Sequence, residues 1–309
     1  MAENELGGTG EGSLIAIVAA MDEEVAPLRA RLGNRRELAV PSGRAWLGRI
    51  GGAEVVLAVT GDGERNARRG LEALLARRTV GRVLVVGVAG GLSAELGVGA
   101  LLVADHVVDE IGGGVRAADA ALAALTARAC GARRGVVVSA GRIADTADER
   151  RRLLALATTP ETAGSPLAAA PPAVAVDLES AAFAAVAAGA GIPWIVLRAI
   201  SDTAGESVPA LLNQSRDEGG AVRRGRVAVG LLKGLLTDPL KDLGTLGRLL
   251  ELRKRVERCA LGLAGAVELA VKGVEGLASV DSGFDPENTV SPEGNRNGAR
   301  AIASRRHEP

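Results

Sequence analysis

Short apolar runs alternate along this chain with longer segments whose apolar residues recur at helical spacing. Leu14 to Ala19 reads as a strand, and Asp22 to Leu32 as a helix with acids in its first turn and arginines in its last. Arg44 to Ile50 and Ala53 to Val59 read as a hairpin joined through Gly51 and Gly52. A Gly-rich turn, TGDGERN, leads into a helix from about Arg65 to Ala76. Val83 to Val88 is a buried strand ending in GVAGG, and Ala100 to Val108 is another strand. Then follow a helix over Ala118 to Cys130, a strand over Gly135 to Ser139, a helix over Ala147 to Ala157 and a loop over Thr158 to Pro172. Val174 to Leu178, Ser180 to Ala190 and Trp194 to Ile200 read as strand, helix, strand, with the two strands parallel. The repeated strand–helix order predicts an α/β class with a mixed, mostly parallel sheet.

After Glu206 the pattern changes. Gly225 to Thr237 and Leu240 to Val271 carry apolar residues at helical spacing among Lys and Arg, separated at Asp238-Pro239. Leu243, Leu246, Leu249, Leu250 and Val256 make one stripe. The expected organisation is a disordered leader over 1–12, a main domain over 13–237, an amphipathic helical extension over 238–277 and a disordered polar tail over 278–309. The leader is acidic and Gly-rich, without the basic and apolar regions of a signal peptide.

Candidate chemistry sits where apolar patterning stops. Asp177, Glu179, Arg198 and Asp202 all lie at or just past strand ends, where open α/β sheets bind ligands. A run such as IPWIVLRAI does not ordinarily carry an arginine, because a guanidinium is costly to bury unpaired. Arg198 therefore needs a carboxylate partner, a ligand or an exit to solvent, and the plain reading is a structural ion pair at a strand end. GVAGG and TGDG have the same two readings, plain tight turns or backbone N–H groups open to a ligand. No G-x-G-x-x-G follows a strand, so a dinucleotide site is not indicated.

Composition narrows the field. The 309 residues carry 37 Lys+Arg against 37 Asp+Glu, so nothing favours nucleic acid as a partner. Cys130 and Cys259 lack metal-like spacing, which fits a reducing cytosol and indicates no metal or cofactor. His106 and His307 are far apart, and His106 reads as a solvated or capping residue at a strand end. Aromatic residues make up 1% of the chain, so a purine site here has few rings for stacking. No uninterrupted apolar span is long enough for a membrane helix.

The run VDLESAAF, with IPWIVLRAISDTA after it, resembles the signature of the nucleoside phosphorylase/nucleosidase superfamily, the methylthioadenosine/S-adenosylhomocysteine nucleosidases in particular. IAIVAAMDEEVAPLRARL resembles that family's first strand and helix, and VLVVGVAGGLSAELGVGALLVAD its glycine turn and following strand. The resemblance implies a three-layer phosphorylase-like fold with helices flanking the sheet, and cleavage of the N-ribosidic bond of a purine nucleoside. It implies that Asp202 is the general acid at purine N7, Glu179 the ribose ligand, Glu24 the group that positions or deprotonates water, and Arg198 the partner of Glu24. Gly90, Gly91 and Ser201 would line the substrate. The role of Asp177 stays open. Three acids, Asp22, Glu23 and Glu24, would repel phosphate, which favours hydrolysis over phosphorolysis. A homodimer is implied as well.

Three positions depart from the family pattern. Val88 stands where the glycine turn has a serine, Ile143 or Ala144 where the nucleosidases carry a stacking aromatic, and Leu178 where they carry a methionine. With these departures, the stretch from Gly225 to Leu261 resembles the hopanoid-associated nucleosidases/phosphorylases, which act on adenosylhopane. That resemblance implies a nucleoside with a large apolar 5′ group and peripheral membrane contact through the C-terminal helices. The competing expectations are an ordinary methylthioadenosine/S-adenosylhomocysteine nucleosidase and a non-catalytic nucleoside-binding protein.

Overall fold

The five residues of β1 (Ile15–Ala19) are all buried, because both faces of the strand are covered. Ile15, Ile17 and Ala19 point to one side and Ala16 and Val18 to the other, each set into its own apolar cluster. This computed structural model describes residues 14–158, 172–217 and 239–281. The helical expectation over 225–237, the expected leader, nearly all of the expected loop over 158–172 and the expected tail from 282 onward lie outside those residues, and 278–281, expected as tail, continue the C-terminal helix.

β1 lies between two parallel neighbours, β4 (Ala53–Val59) and β5 (Arg82–Gly91). β2 (Gly33–Leu38) and β3 (Arg44–Ile50) extend the sheet beyond β4 as an antiparallel meander. β2 is almost wholly exposed and polar, which is why no apolar run marks it. On the other side stand β6 (Leu101–Asp109), the short β7 (Val115–Ala117), β8 (Arg133–Ser139), β9 (Ala173–Asp177) and β10 (Trp194–Asp202). The sheet order is β10-β6-β8-β9-β5-β1-β4-β3-β2, with β7 on β6. β10 also pairs with β5, so β10, β6, β8, β9 and β5 close into a ring.

That closure corrects one expectation. β9 and β10 are not parallel neighbours. β9 pairs parallel with β8 and antiparallel with β5, whereas β10 pairs parallel with β5 and antiparallel with β6. The helix between them is present, as α5 (Ser180–Gly189), but it leads into the oppositely directed half of the sheet. An apolar run marks a buried strand without its direction or its neighbour, so the expected parallel pairing had no support in the local pattern.

Helices cover both faces. α1 (Asp22–Arg31), α3 (Ala120–Cys130) and the long C-terminal helix α7 (Pro239–Asp281) pack on one side. α2 (Glu64–Leu75) and α5 pack on the other, where Leu71, Leu74 and Phe183 enter the core. α4 (Ala147–Ala157) lies against β8 and β9, and a short α6 (Leu211–Gln214) follows β10. α7 starts at a proline, which lacks only an N–H that a first turn leaves free. Its second half buries Cys259, Leu263, Val267 and Val271 in the core with α1 and α3. Its first half leaves Leu243, Leu246 and Leu250 exposed.

Candidate active site

The site forms where two strands share one edge of β5. β1 pairs with that edge up to Val85, and β9 takes it over from Gly90. β10 runs along the opposite edge throughout. In the interval the Val88 N–H is free of the sheet, and it donates to Glu24 Oε1 at 2.9 Å. Glu24 is the third residue of α1, and its Oε2 accepts the Met21 N–H at 2.9 Å, the reciprocal half of a capping box. Glu24 is buried, and burial raises its pKa above 4.5 although Arg198 and the two N–H groups act against the rise.

GVAGG is not a turn. Gly87 to Gly91 continue β5 as extended chain, and none of these glycines has positive φ. They serve by lacking a Cβ. A Cβ on Gly87 would stand 2.0 Å from Arg198 Nη1 and 2.5 Å from Glu24 Oε1, and one on Gly90 would stand 3.0 Å from Asp202 Oδ2. A Cβ on Gly91 would meet the backbone carbonyls of Leu96 and Asp202. TGDG is a true turn, with φ of 98° at Gly61 and 93° at Gly63.

Arg198 is 1% exposed, and its ion pair is with Asp177 rather than the expected Glu24. Nη2 lies 2.5 Å from Asp177 Oδ2 and donates to Ser180 Oγ at 2.9 Å. The Ser180 hydroxyl and N–H both donate to Asp177, fixing that carboxylate at the head of α5. Glu24 instead spends both oxygens on backbone N–H groups, and it acts on Arg198 through charge alone. Burial works against the Arg198 cation, but Asp177, Glu24 and Glu179 outweigh it and raise its pKa. Arg198 Nε has no acceptor among the described residues.

Glu179 is buried beside this pair and accepts the Gly63 N–H at 2.9 Å. Burial, then the charges of Asp177 and Asp62, hold its pKa well above 4.5. The Gly-rich turn after β4 thus meets the end of β9.

Asp202 ends β10, buried, with Ser201 Oγ donating to its Oδ1 at 2.7 Å. Its Oδ2 pairs with Arg150, which sequence reasoning missed. The signal was present. Arg150, Leu153 and Ala157 form the buried face of α4, so an arginine occupies a core position of an amphipathic helix. Ile143 is half-buried, and its N–H and C=O both bind the Asn213 side chain, at 3.0 and 2.8 Å. Leu178 packs against the apolar cluster of β8, β9 and α4, and half-buried Val88 against that of β1 and α7. A pocket of about 360 Å³ opens beside Asp202, between the loop from Gly205 to Pro209 and Arg248, Glu251, Leu252 and Arg255 of α7. His106 stands apart in β6, with Nδ1 unpartnered among the described residues.

Residues 14–236 match the family model described as the phosphorylase superfamily. The chain belongs to that superfamily. It is therefore an enzyme of the nucleosidase/phosphorylase class, with the α/β phosphorylase-like fold that the sequence led us to expect. The 5'-methylthioadenosine/S-adenosylhomocysteine nucleosidase of Geobacillus thermodenitrificans is 34% identical over 206 residues, 62% of this chain and 84% of that relative. The Marinomonas sp. nucleosidase of the same name is 33% identical over 212 residues, 64% of this chain and 89% of that relative. Among solved structures, the S-adenosylhomocysteine nucleosidase of Streptococcus pyogenes, in complex with 5-methylthiotubericidin, superposes with a TM-score of 0.64 at 20% identity. It covers 86% of this chain and 99% of its own. The futalosine hydrolase of Helicobacter pylori superposes at 0.62 and 19% identity, covering 84% of this chain and 98% of its own. These two likenesses show the superfamily's fold. Among the described residues, no helix is long and apolar enough to cross a membrane.

Proposed function

We propose that this chain hydrolyses the N-ribosidic bond of an adenosine-type nucleoside and releases adenine. The observation that carries the reading is the placement of two buried carboxyls, Glu24 and Asp202, at either end of the Gly87–Gly91 segment of β5, where Gly87 and Gly90 have no Cβ to fill the space beside them. Asp202 gives a proton to N7 of the purine as the C1′–N9 bond breaks, and that bond's electron pair leaves with the base. Glu179 binds the ribose hydroxyls beside the developing cation. Glu24, its proton affinity raised by burial, takes a proton from the water whose oxygen bonds to C1′. Arg198 orients the carboxylates. The acidic first turn of α1 supports water rather than phosphate as the nucleophile.

The substrate we favour is adenosylhopane, in hopanoid biosynthesis. Val88, Leu178 and Ile143 in place of the nucleosidase residues support it, as does the leucine face on the first half of α7. The reading includes a homodimer in the cytoplasm that touches the bilayer through α7. The second reading, a methylthioadenosine/S-adenosylhomocysteine nucleosidase, is favoured by the names of the relatives at 33–34% identity. Adenine release from methylthioadenosine and from an adenosine with a long apolar 5′ chain separates the two. Rapid turnover of methylthioadenosine speaks for the second.

A further inference from the structure

We propose that Arg150 is the positioning residue of the Asp202 carboxyl. It fixes where that group stands, and it stabilises the carboxylate left when the proton has gone to the purine. The inference rests on the acid role given to Asp202 above.

Arg150 is 4% exposed, and its guanidinium is shared among three strand ends. Nε donates to the Ala144 carbonyl at 3.1 Å, in the segment after β8. Nη1 donates to Gly91 at the end of β5, at 3.1 Å, and to Thr203 just past β10, at 2.8 Å. Nη2 donates to Asp202 Oδ2. The planar fork meets four acceptors from fixed directions, which a lysine ammonium cannot reproduce. It ties the β5 glycines, the β10 acid and the Ile143–Ala144 segment into one unit.

The charge adds a second function. Arginine only donates, and it keeps its proton at any working pH. Asp202 Oδ2 therefore faces a permanent cation, and Oδ1, which accepts the Ser201 hydroxyl, is the oxygen that Arg150 leaves open. When the carboxyl O–H breaks and N7–H forms, negative charge appears on a carboxylate already facing that cation. A buried anion without such a partner is costly, so Arg150 stabilises the carboxylate that the proton transfer leaves.

The test is a double-variant cycle on the full chain, read as adenine release and gated by thermal melting. The single variants are Arg150→Lys, Arg150→Gln and Asp202→Asn, and each Arg150 change is repeated in the Asp202→Asn background. Arg150→Gln is expected to lower kcat about 10- to 100-fold with KM within about threefold, and Arg150→Lys to recover part of the loss. In the Asp202→Asn background the same changes are expected to cost less than about threefold, because their target is gone. If Arg150→Gln does not fold, Arg150→Lys carries the cycle. Turnover lost in Asp202→Asn but kept in both Arg150 variants overturns this inference alone. So does an equal fractional loss in both backgrounds, the mark of a merely structural clamp. Wild-type turnover that Asp202→Asn leaves intact overturns the acid assignment and this inference with it.

Discussion

Gly87 and Arg198 face each other across β5 and β10, and the missing side chain of the glycine is the space the guanidinium occupies. The pairing explains how an arginine 1% exposed is tolerated in a central strand. The side chain lies over bare backbone and reaches Asp177 at the end of β9. Two strands that are not neighbours are thereby coupled through charge.

Gly87→Ala should disrupt this arrangement without changing any charge. Its Cβ would fall 2.0 Å from Arg198 Nη1, so the guanidinium or the strand must move. Overpacking of this kind costs about 1–3 kcal/mol. Urea denaturation should show that loss, and adenine release should fall with it.

Arg198→Met should cost more, about 3–5 kcal/mol, because it strands Asp177 as a buried charge. Arg198→Met combined with Asp177→Asn should recover much of the loss. Chemical denaturation of the three variants checks this, and recovery confined to experimental error would contradict the ion-pair account.

Glu179 gives a pH dependence of definite sign. Its folded-state pKa lies well above 4.5, so the folded state holds the proton over a range where the unfolded chain has released it. Stability is unaffected below about 4.5 and falls as pH rises through the folded value. Glu179→Gln can still accept the Gly63 N–H and donate to Asp62. It should raise stability at pH 8 on the order of 1 kcal/mol, and the gain should vanish near pH 4. Thermal melts across pH test it.

The leucine face of α7 has its own test. Leu243→Glu with Leu250→Glu changes two exposed positions and leaves the buried half of the helix intact. It should cut co-sedimentation with anionic phospholipid vesicles severalfold while melting temperature stays put. Unchanged sedimentation would remove the bilayer from the proposal.

Much of this was legible in the residues. The bounds of α1, α4 and the β3–β4 hairpin follow from caps, apolar periodicity and paired glycines. Asp177, Glu179, Arg198 and Asp202 stood out as charges where apolar runs end, and Glu24 came from the family resemblance of the first helix. What local pattern does not carry is partnership. Arg198 pairs with Asp177 because β9 and β10 meet β5 from opposite edges, a long-range fact. GVAGG looked like a turn because glycine usually marks one, yet here glycine makes room between strands. Arg150 was hidden among the arginines of DERRRL, and only its position on the helix face sets it apart.

Adenine release from 5′-substituted adenosines by wild type and Asp202→Asn, with and without phosphate, tests the central claim most directly. The expected result is phosphate-independent release from an adenosine with a long apolar 5′ chain, reduced at least about 100-fold in Asp202→Asn. Release that requires phosphate, or that survives in Asp202→Asn, would contradict it.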